Sequence, residues 1–339
     1  MIRDRIAKID NIKFWVILSV VIGHVIFYFR GDPLADTIYL FVYSFHMPVM
    51  VFIAGMFSKH SVDSRRYEIV IQYLAVYLVM KFLEALADYF ARGAFSFYFL
   101  WESGPAWFAL ALAVFILVTM FINTYDKKSM LLLAIMVGCL AGLDTHFGNH
   151  FASMRICVFY PVFLAGYYTE PEKLTVRRYD KKIQIAARII ALIVLILIFI
   201  VFFNFSDRTT LILQLFKGKH AYDEMGIGIE IIIYRLLCYA FWAAMGILVF
   251  LVVGERNTLL TWIGSRTMSV FIWHSFIISL LFSTFDGKEI LLEYYPHLYL
   301  FAALVIAFSI TVITAFFPDL RIADTLSVKG RRTDDQSRN

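Results

Sequence analysis

Apolar residues do not alternate with polar ones along this chain; they run together. Ten nearly unbroken stretches of Ile, Leu, Val, Phe and Ala fall at roughly 12–29, 37–57, 69–90, 106–124, 130–147, 154–169, 183–203, 226–253, 262–285 and 298–317. A helix rises about 1.5 Å per residue, so about 20 apolar residues cross the hydrocarbon layer of a bilayer. The pattern predicts an all-α, polytopic membrane helix bundle of about ten transmembrane helices. The fifth and sixth runs are short or interrupted, which leaves a re-entrant stretch open there. The gaps are too short for a soluble domain, and no heptad or internal repeat stands out. Residues 1–320 are expected to form the membrane domain. Residues 321–339 read as a polar cytoplasmic tail, disordered beyond about 325. Pro48, one turn into the second run, predicts a kinked helix. Gly104-Pro105 opens the fourth run as a helix start, with Trp107 at the interface. Gly55 predicts close helix approach.

Composition agrees. The 339 residues are 61% hydrophobic and only 17% charged, too apolar for a globular core of this length. The net charge of +5 does not form a nucleic-acid patch, because the basic residues sit in the gaps between runs. Of 31 Lys and Arg, twenty fall in one alternating set of connections that includes both ends, and six in the other. The positive-inside rule then puts both termini in the cytoplasm, and the alternation favours an even number of spans. The expected location is the cell membrane. A basic start without a small-residue cleavage site predicts an uncleaved first helix. Cys139, Cys157 and Cys238 lie in or beside apolar runs without metal spacing and read as packing residues.

Ionisable groups within membrane spans are costly, so each marks a functional candidate. They are Lys13, His24, His46, Lys81, Glu84, Asp88, Arg155, Arg188, Glu230, Arg235 and His274. Measured along the helix axis, His24, His46 and His274 lie about 9, 13 and 16 Å from the outer ends of their spans. One such histidine is adequately read as an interhelical hydrogen-bond partner. Three at similar depth, in a chain with eight, point to a shared polar cavity where imidazole exchanges protons near neutral pH. The three show no H-x3-H spacing among themselves and the chain has no H-E-x-x-H, so no metal is expected. Lys13 precedes His24 by eleven residues, about three turns, so one helix face carries both, with Asp10 as a candidate partner for the lysine. Lys81, Glu84 and Asp88 form a stripe at i, i+3, i+7 that reads as mutual neutralisation. Arg155 lies near the outer end of the sixth run. Arg235, near the middle of the eighth, must meet a carboxylate, carbonyls or a phosphate-bearing ligand.

Five segments in order resemble the acyltransferase-3 family of membrane acyltransferases, and most closely its fucose 4-O-acetylase-like branch. They are Asp10-Asn11-Ile12-Lys13 with Gly23-His24; Ser44-Phe45-His46-Met47-Pro48 with Phe52 to Met56; Trp107 to Leu112; Arg155 to Tyr167; and Ile263 to His274. Two positions depart: Lys13 stands where many members carry Arg, keeping the charge but not the two-pronged grip on phosphate, and Ala54 stands where Ser is common. The fused secreted hydrolase-like domain of some relatives is expected to be missing.

The resemblance implies an O-acetyltransferase of the cell envelope. It would move an acetyl group from cytosolic acetyl-CoA, as co-substrate, to a hydroxyl of a surface glycan, capsular polysaccharide, exopolysaccharide or lipid-linked oligosaccharide. On that reading His24 is the general base or a transient acyl carrier, and His46 and His274 orient the reacting groups or stabilise the oxyanion. Lys13 and Arg266 hold the CoA phosphates, and Arg155, Arg235 and Trp107 contact substrate. The competing classes are a multi-pass transporter or exporter of a glycan or small polar solute, and a non-catalytic scaffold. The ordered motifs and the lack of a repeat count against transport.

Overall fold

The computed structural model describes residues 7–102, 104–144, 148, 150–170, 174, 180–205, 210–226, 230–295 and 297–320. Among these, regular structure is helical, with one isolated bridge between Trp101 and His150 and no strand. In chain order the helices are α1 (Ala7–Ile26), α2 (Pro33–Tyr43), α3 (His46–Asp63), α4 (Tyr67–Arg92), α5 (Trp107–Ile122), α6 (Lys127–Leu140), α7 (Ser153–Tyr167), α8 (Lys181–Asn204), α9 (Thr210–Lys217), α10 (Ile231–Val252), α11 (Leu259–Gly264), α12 (Thr267–Ser279), α13 (Gly287–Tyr294) and α14 (Tyr299–Thr314). Six segments are long and apolar enough to cross a membrane: Ala7–Phe29, Pro33–Asp63, Tyr67–Arg92, Lys181–Asn204, Ile231–Val252 and Thr267–Thr284. Three shorter apolar helices, α5, α7 and α14, accompany them. The tail predicted at 321–339 lies outside the described residues.

Two predicted runs are broken helices. The second is interrupted at Ser44-Phe45, where Phe45 leaves the helical region at φ −141°. The reason is Pro48. Its ring cannot stack on the carbonyl four residues earlier, so the helix ends before that carbonyl. In the restarted α3 it occupies the first turn, where a missing N–H costs nothing. The expected kink is therefore a break. The ninth run divides at Ser265-Arg266 into α11 and α12, and then closes in a single π turn at Leu280–Thr284. Helices α9 and α13 arise where the apolar pattern predicted connections. Each has only eight residues, too few to register as an apolar run.

Helix α1 is the axis of the bundle, packed by α2, α3, α11, α12 and α14. It is apolar nearly all round, as a helix surrounded by others must be. Helix α8 is equally apolar but mostly exposed, which marks it as a lipid-facing wall. Backbones approach most closely at glycines. A Cβ on Gly55 would strike the Phe163 carbonyl, and one on Gly166 the Phe52 carbonyl, so α3 and α7 interlock reciprocally. Gly264 meets the Asp10 carbonyl in the same way and pins α11 to the start of α1. Cys139, Cys157 and Cys238 are free thiols, two buried and one half-buried.

Candidate functional site

A cavity of about 570 Å³ opens between α1, α2, α3, α5, α7, α9 and the start of α12. Lys13 lines one end; Lys217, Lys219 and Arg155 line the other reaches; His24 and His46 stand on its wall. The shared face of Lys13 and His24 thus faces this space. Among the described residues no Asp or Glu lines it.

The three histidines are not equivalent. Each owes its pose to local backbone. The break after α2 leaves the Val42 carbonyl without its regular partner, and the buried His46 ring donates Nδ1–H to it at 2.5 Å. That assignment of the proton leaves Nε2 as an acceptor. His274, fully buried in α12, donates Nδ1–H to the Val270 and Phe271 carbonyls, each at 2.9 Å. Its Nε2 has no hydrogen-bond partner among the described residues. His24 stands beside it, with ring centroids 5.2 Å apart. His24 is half-buried and reaches the cavity; His274 backs it from behind.

The cations differ in their partners. Lys13 donates to Asp10 at 2.8 Å, as its spacing predicted. Arg155, 5% exposed, donates Nη2–H to the Glu102 carbonyl at 2.6 Å and lies 4.9 Å from the Trp107 ring centroid. Its Nε has no hydrogen-bond partner among the described residues. Arg155 reaches this place because Phe151 N–H donates to the Leu100 carbonyl, tying the α4–α5 connection to the entry of α7. Phe151 and Ala152 both take left-handed φ, near 50°, to make that entry. Lys217 has no carboxylate within 4 Å among the described residues. Its ammonium lies over the Tyr39 and Tyr43 rings at 4.9 and 5.4 Å. Burial, then Arg30, Lys219 and Arg155, pull it down to about 8.

Arg235 and Arg266 do not line the cavity. Arg235 is fully buried and donates to the Leu215 carbonyl at 2.7 Å, satisfying an end carbonyl of α9. This is one of the carbonyl partners its depth required. Arg266 sits at the α11–α12 break, 5.4 Å from the Trp262 ring centroid, next to the cavity-lining Thr267 and Met268.

The stripe on α4 resolves into two pairs: Lys81 with Glu84 at 3.0 Å, and Asp88 with Arg92 at 3.8 Å. A residue outside the apolar runs, Glu102, joins the first pair at 3.6 Å from Lys81 and is fully buried. Its sequence signal was a lone acid in an aromatic-rich connection, indistinguishable from a solvated one. Burial foremost, then Glu84, pushes the Glu102 carboxyl up to about 7, against the pull of Lys81 and Arg155. Tyr77 also faces it.

The unfolded carboxyl titrates near 4.3. Between about 4.3 and about 7 the folded chain keeps a proton that the unfolded chain has lost, so this contribution to stability falls as pH rises through that window. Glu102→Gln removes the effect. The melting temperature of wild type relative to E102Q in detergent is expected to drop by a few degrees between pH 4.5 and 8. A constant difference would mean that Glu102 is ionised throughout.

Sequence reasoning missed Glu102, Lys217 and Lys219. The two lysines counted only toward topology. With α9 recognised as a short amphipathic segment, its terminal Lys-Gly-Lys would have stood out.

The family model described as "Acyltransferase domain" matches residues 6–316 of the chain. No curated protein and no solved structure matches it.

Proposed function

The chain belongs to the acyltransferase domain family matched over residues 6–316, and from that membership we propose that it is the O-acetyltransferase of a surface or capsular glycan, drawing on cytosolic acetyl-CoA. It is a multi-pass membrane acyltransferase. Within the family we assign it to the fucose 4-O-acetylase-like branch. We place it in the cell membrane with about ten spans and both termini inside, on the strength of its Lys and Arg asymmetry.

One observation carries the reading: a single cavity is lined by a lysine at one end, other cations elsewhere and imidazoles along its wall. Such a space accepts an anionic thioester from one side and a hydroxylated acceptor from the other. His24 takes the proton from the acceptor hydroxyl as that oxygen attacks the thioester carbonyl carbon. The C–S bond then breaks, and the departing thiolate takes the proton back from His24. A transient acyl-His24 is the alternative order of the same transfers. His274, with its Nδ1 proton engaged by the main chain, offers Nε2 to the other nitrogen of His24 and holds its tautomer. In this scheme His274 is a positioning residue. His46, likewise committed at Nδ1, orients the acceptor hydroxyl. Neutral, neither donates to an oxyanion; the cations of the cavity supply that stabilisation. Lys13 holds the CoA phosphates, helped by Arg266 from the cytoplasmic rim, and Arg155 and Trp107 contact the acceptor. Arg235 is assigned an indirect part, through α9.

Purified protein in nanodiscs, given acetyl-labelled acetyl-CoA and crude surface glycan, should move label into the glycan. Uptake or release of glycan with all label left on CoA would overturn the assignment and favour transport.

A further inference from the structure

The reach of the cavity beyond His24 carries charge that acetyl-group chemistry does not require. Lys13 already has a carboxylate, Asp10. Arg155 has acids nearby, Glu102 and Glu84, but neither lines the cavity. The Glu84 carboxylate packs against Gly104, which does line it. Among the described residues, Lys217 has only aromatic faces and neighbouring cations. It is close enough to His24 for the two to interact electrostatically.

Lys217 is also held in place. The Leu215 carbonyl, two residues before it, accepts from the buried Arg235. The next residue, Gly218, takes φ +56°, closes α9 with a bond from its N–H to the Gln214 carbonyl at 3.1 Å, and packs on Val158. A buried arginine and a left-handed glycine thus fix an ammonium at the wall of a cavity that no acid lines among the described residues. Maintaining a half-buried cation without a counter-charge is costly, and the cost is recovered when an anion enters.

We propose that this end of the cavity is a subsite for an anionic group of the acceptor, a carboxylate or phosphate carried close to the hydroxyl that is modified, with Lys217 as its principal contact and Arg155 and Lys219 flanking it. The inference rests on the acyltransferase reading and narrows its acceptor to acidic saccharides or phosphate-linked ones. Burial does most to lower the Lys217 pKa, and the neighbouring Arg30, Lys219 and Arg155 add to it, as an excess of positive charge there would. The same chemistry has two sources, a uronate sugar or a phosphate-linked one, and CoA itself is a third anion to be separated from both.

The full chain in nanodiscs is titrated with a glucuronate oligosaccharide, with glucose 1-phosphate, with a neutral glucose oligosaccharide of equal length and, separately, with acetyl-CoA, reading affinity by thermal protection. Wild type should bind one of the anionic saccharides at least about tenfold more tightly than the neutral one, from one charge-assisted contact. Whichever it is names the source. Lys217→Gln should erase that preference, and Lys217→Arg should keep most of it. Acetyl-CoA affinity should stay unchanged in both. Equal binding of charged and neutral saccharides, or a preference retained in K217Q, overturns the subsite. Weakening of acetyl-CoA instead assigns the lysine to the donor and overturns it equally. Because these are binding readouts, they stand apart from the label-transfer assay that tests the acyltransferase reading itself.

Discussion

Replacing His24 by alanine is expected to lower kcat for acyl transfer by about 10²–10⁴, the range that a positioned general base supplies, while the protein inserts and purifies as wild type. The side chain is half-buried and faces open cavity, so its removal uncovers little packed surface. Its contact with His274 is a ring approach at 5.2 Å rather than an interlocking fit. The loss should therefore appear in the chemical step and not in the yield of folded protein. His274→Ala makes a useful contrast. That ring is fully buried and anchored to two carbonyls, so its loss should reduce stability as well as rate. Steady-state transfer of labelled acetyl, measured beside melting temperature, separates the two. Activity in H24A within threefold of wild type would remove His24 from the chemistry.

The second large effect is structural. Gly166→Ala is expected to destabilise the fold by about 3 kcal/mol or more, from backbone overpacking. The sign is the informative part. In a helix interior, Gly→Ala normally stabilises by about 0.4–1 kcal/mol because the unfolded chain loses freedom. Here the added methyl would fall on the Phe52 carbonyl of α3, a main-chain atom that cannot rotate away. Gly55 makes the mirror-image contact with the Phe163 carbonyl, so G55A should behave the same way. Gly246 is the control. A Cβ there would meet nothing closer than Val49 at 3.9 Å, so G246A should be neutral or slightly stabilising. Thermal unfolding in one detergent compares the variants. The α3–α7 crossing also sets the distance between His46 and Arg155, so surviving G166A protein should transfer acetyl poorly. Equal melting temperatures for G166A and G246A would mean that the helices separate at little cost.

Several local features of the site were legible before any fold. Asp10 and Lys13, three residues apart on one helix, pair as that spacing allows. Lys81 and Glu84 do the same. Lys13 and His24 share a cavity because eleven residues are nearly three whole turns. Other features were not legible. Asp88 left the expected stripe for Arg92, an equally good helical neighbour. Glu102 lies 21 residues beyond Lys81 in an irregular connection, and contacts from distant helices, among them the tie between Leu100 and Phe151, bring it to Arg155. Lys217 ends a helix of eight residues whose position depends on Arg235, eighteen residues later in the chain.

The division follows from how the interactions are distributed. Partition into a bilayer sums over neighbouring residues, so apolar runs, their flanking charges and pairs one turn apart are written in short windows of sequence. The sequence by itself therefore determined that this is a multi-span helical membrane protein, where Pro48 would disturb its helix, and which imidazoles fall within apolar runs. It did not determine which helix meets which. In a bilayer the lipid-facing and partner-facing sides of a helix are both apolar, so α1 at the centre and α8 at the edge look alike in composition. Only the tertiary structure decided that His274 stands behind His24, that α3 and α7 touch backbone to backbone, and that the lysine of a short helix faces the same space. Those contacts depend on shape matched across the bundle, and no local window of sequence contains both sides of them.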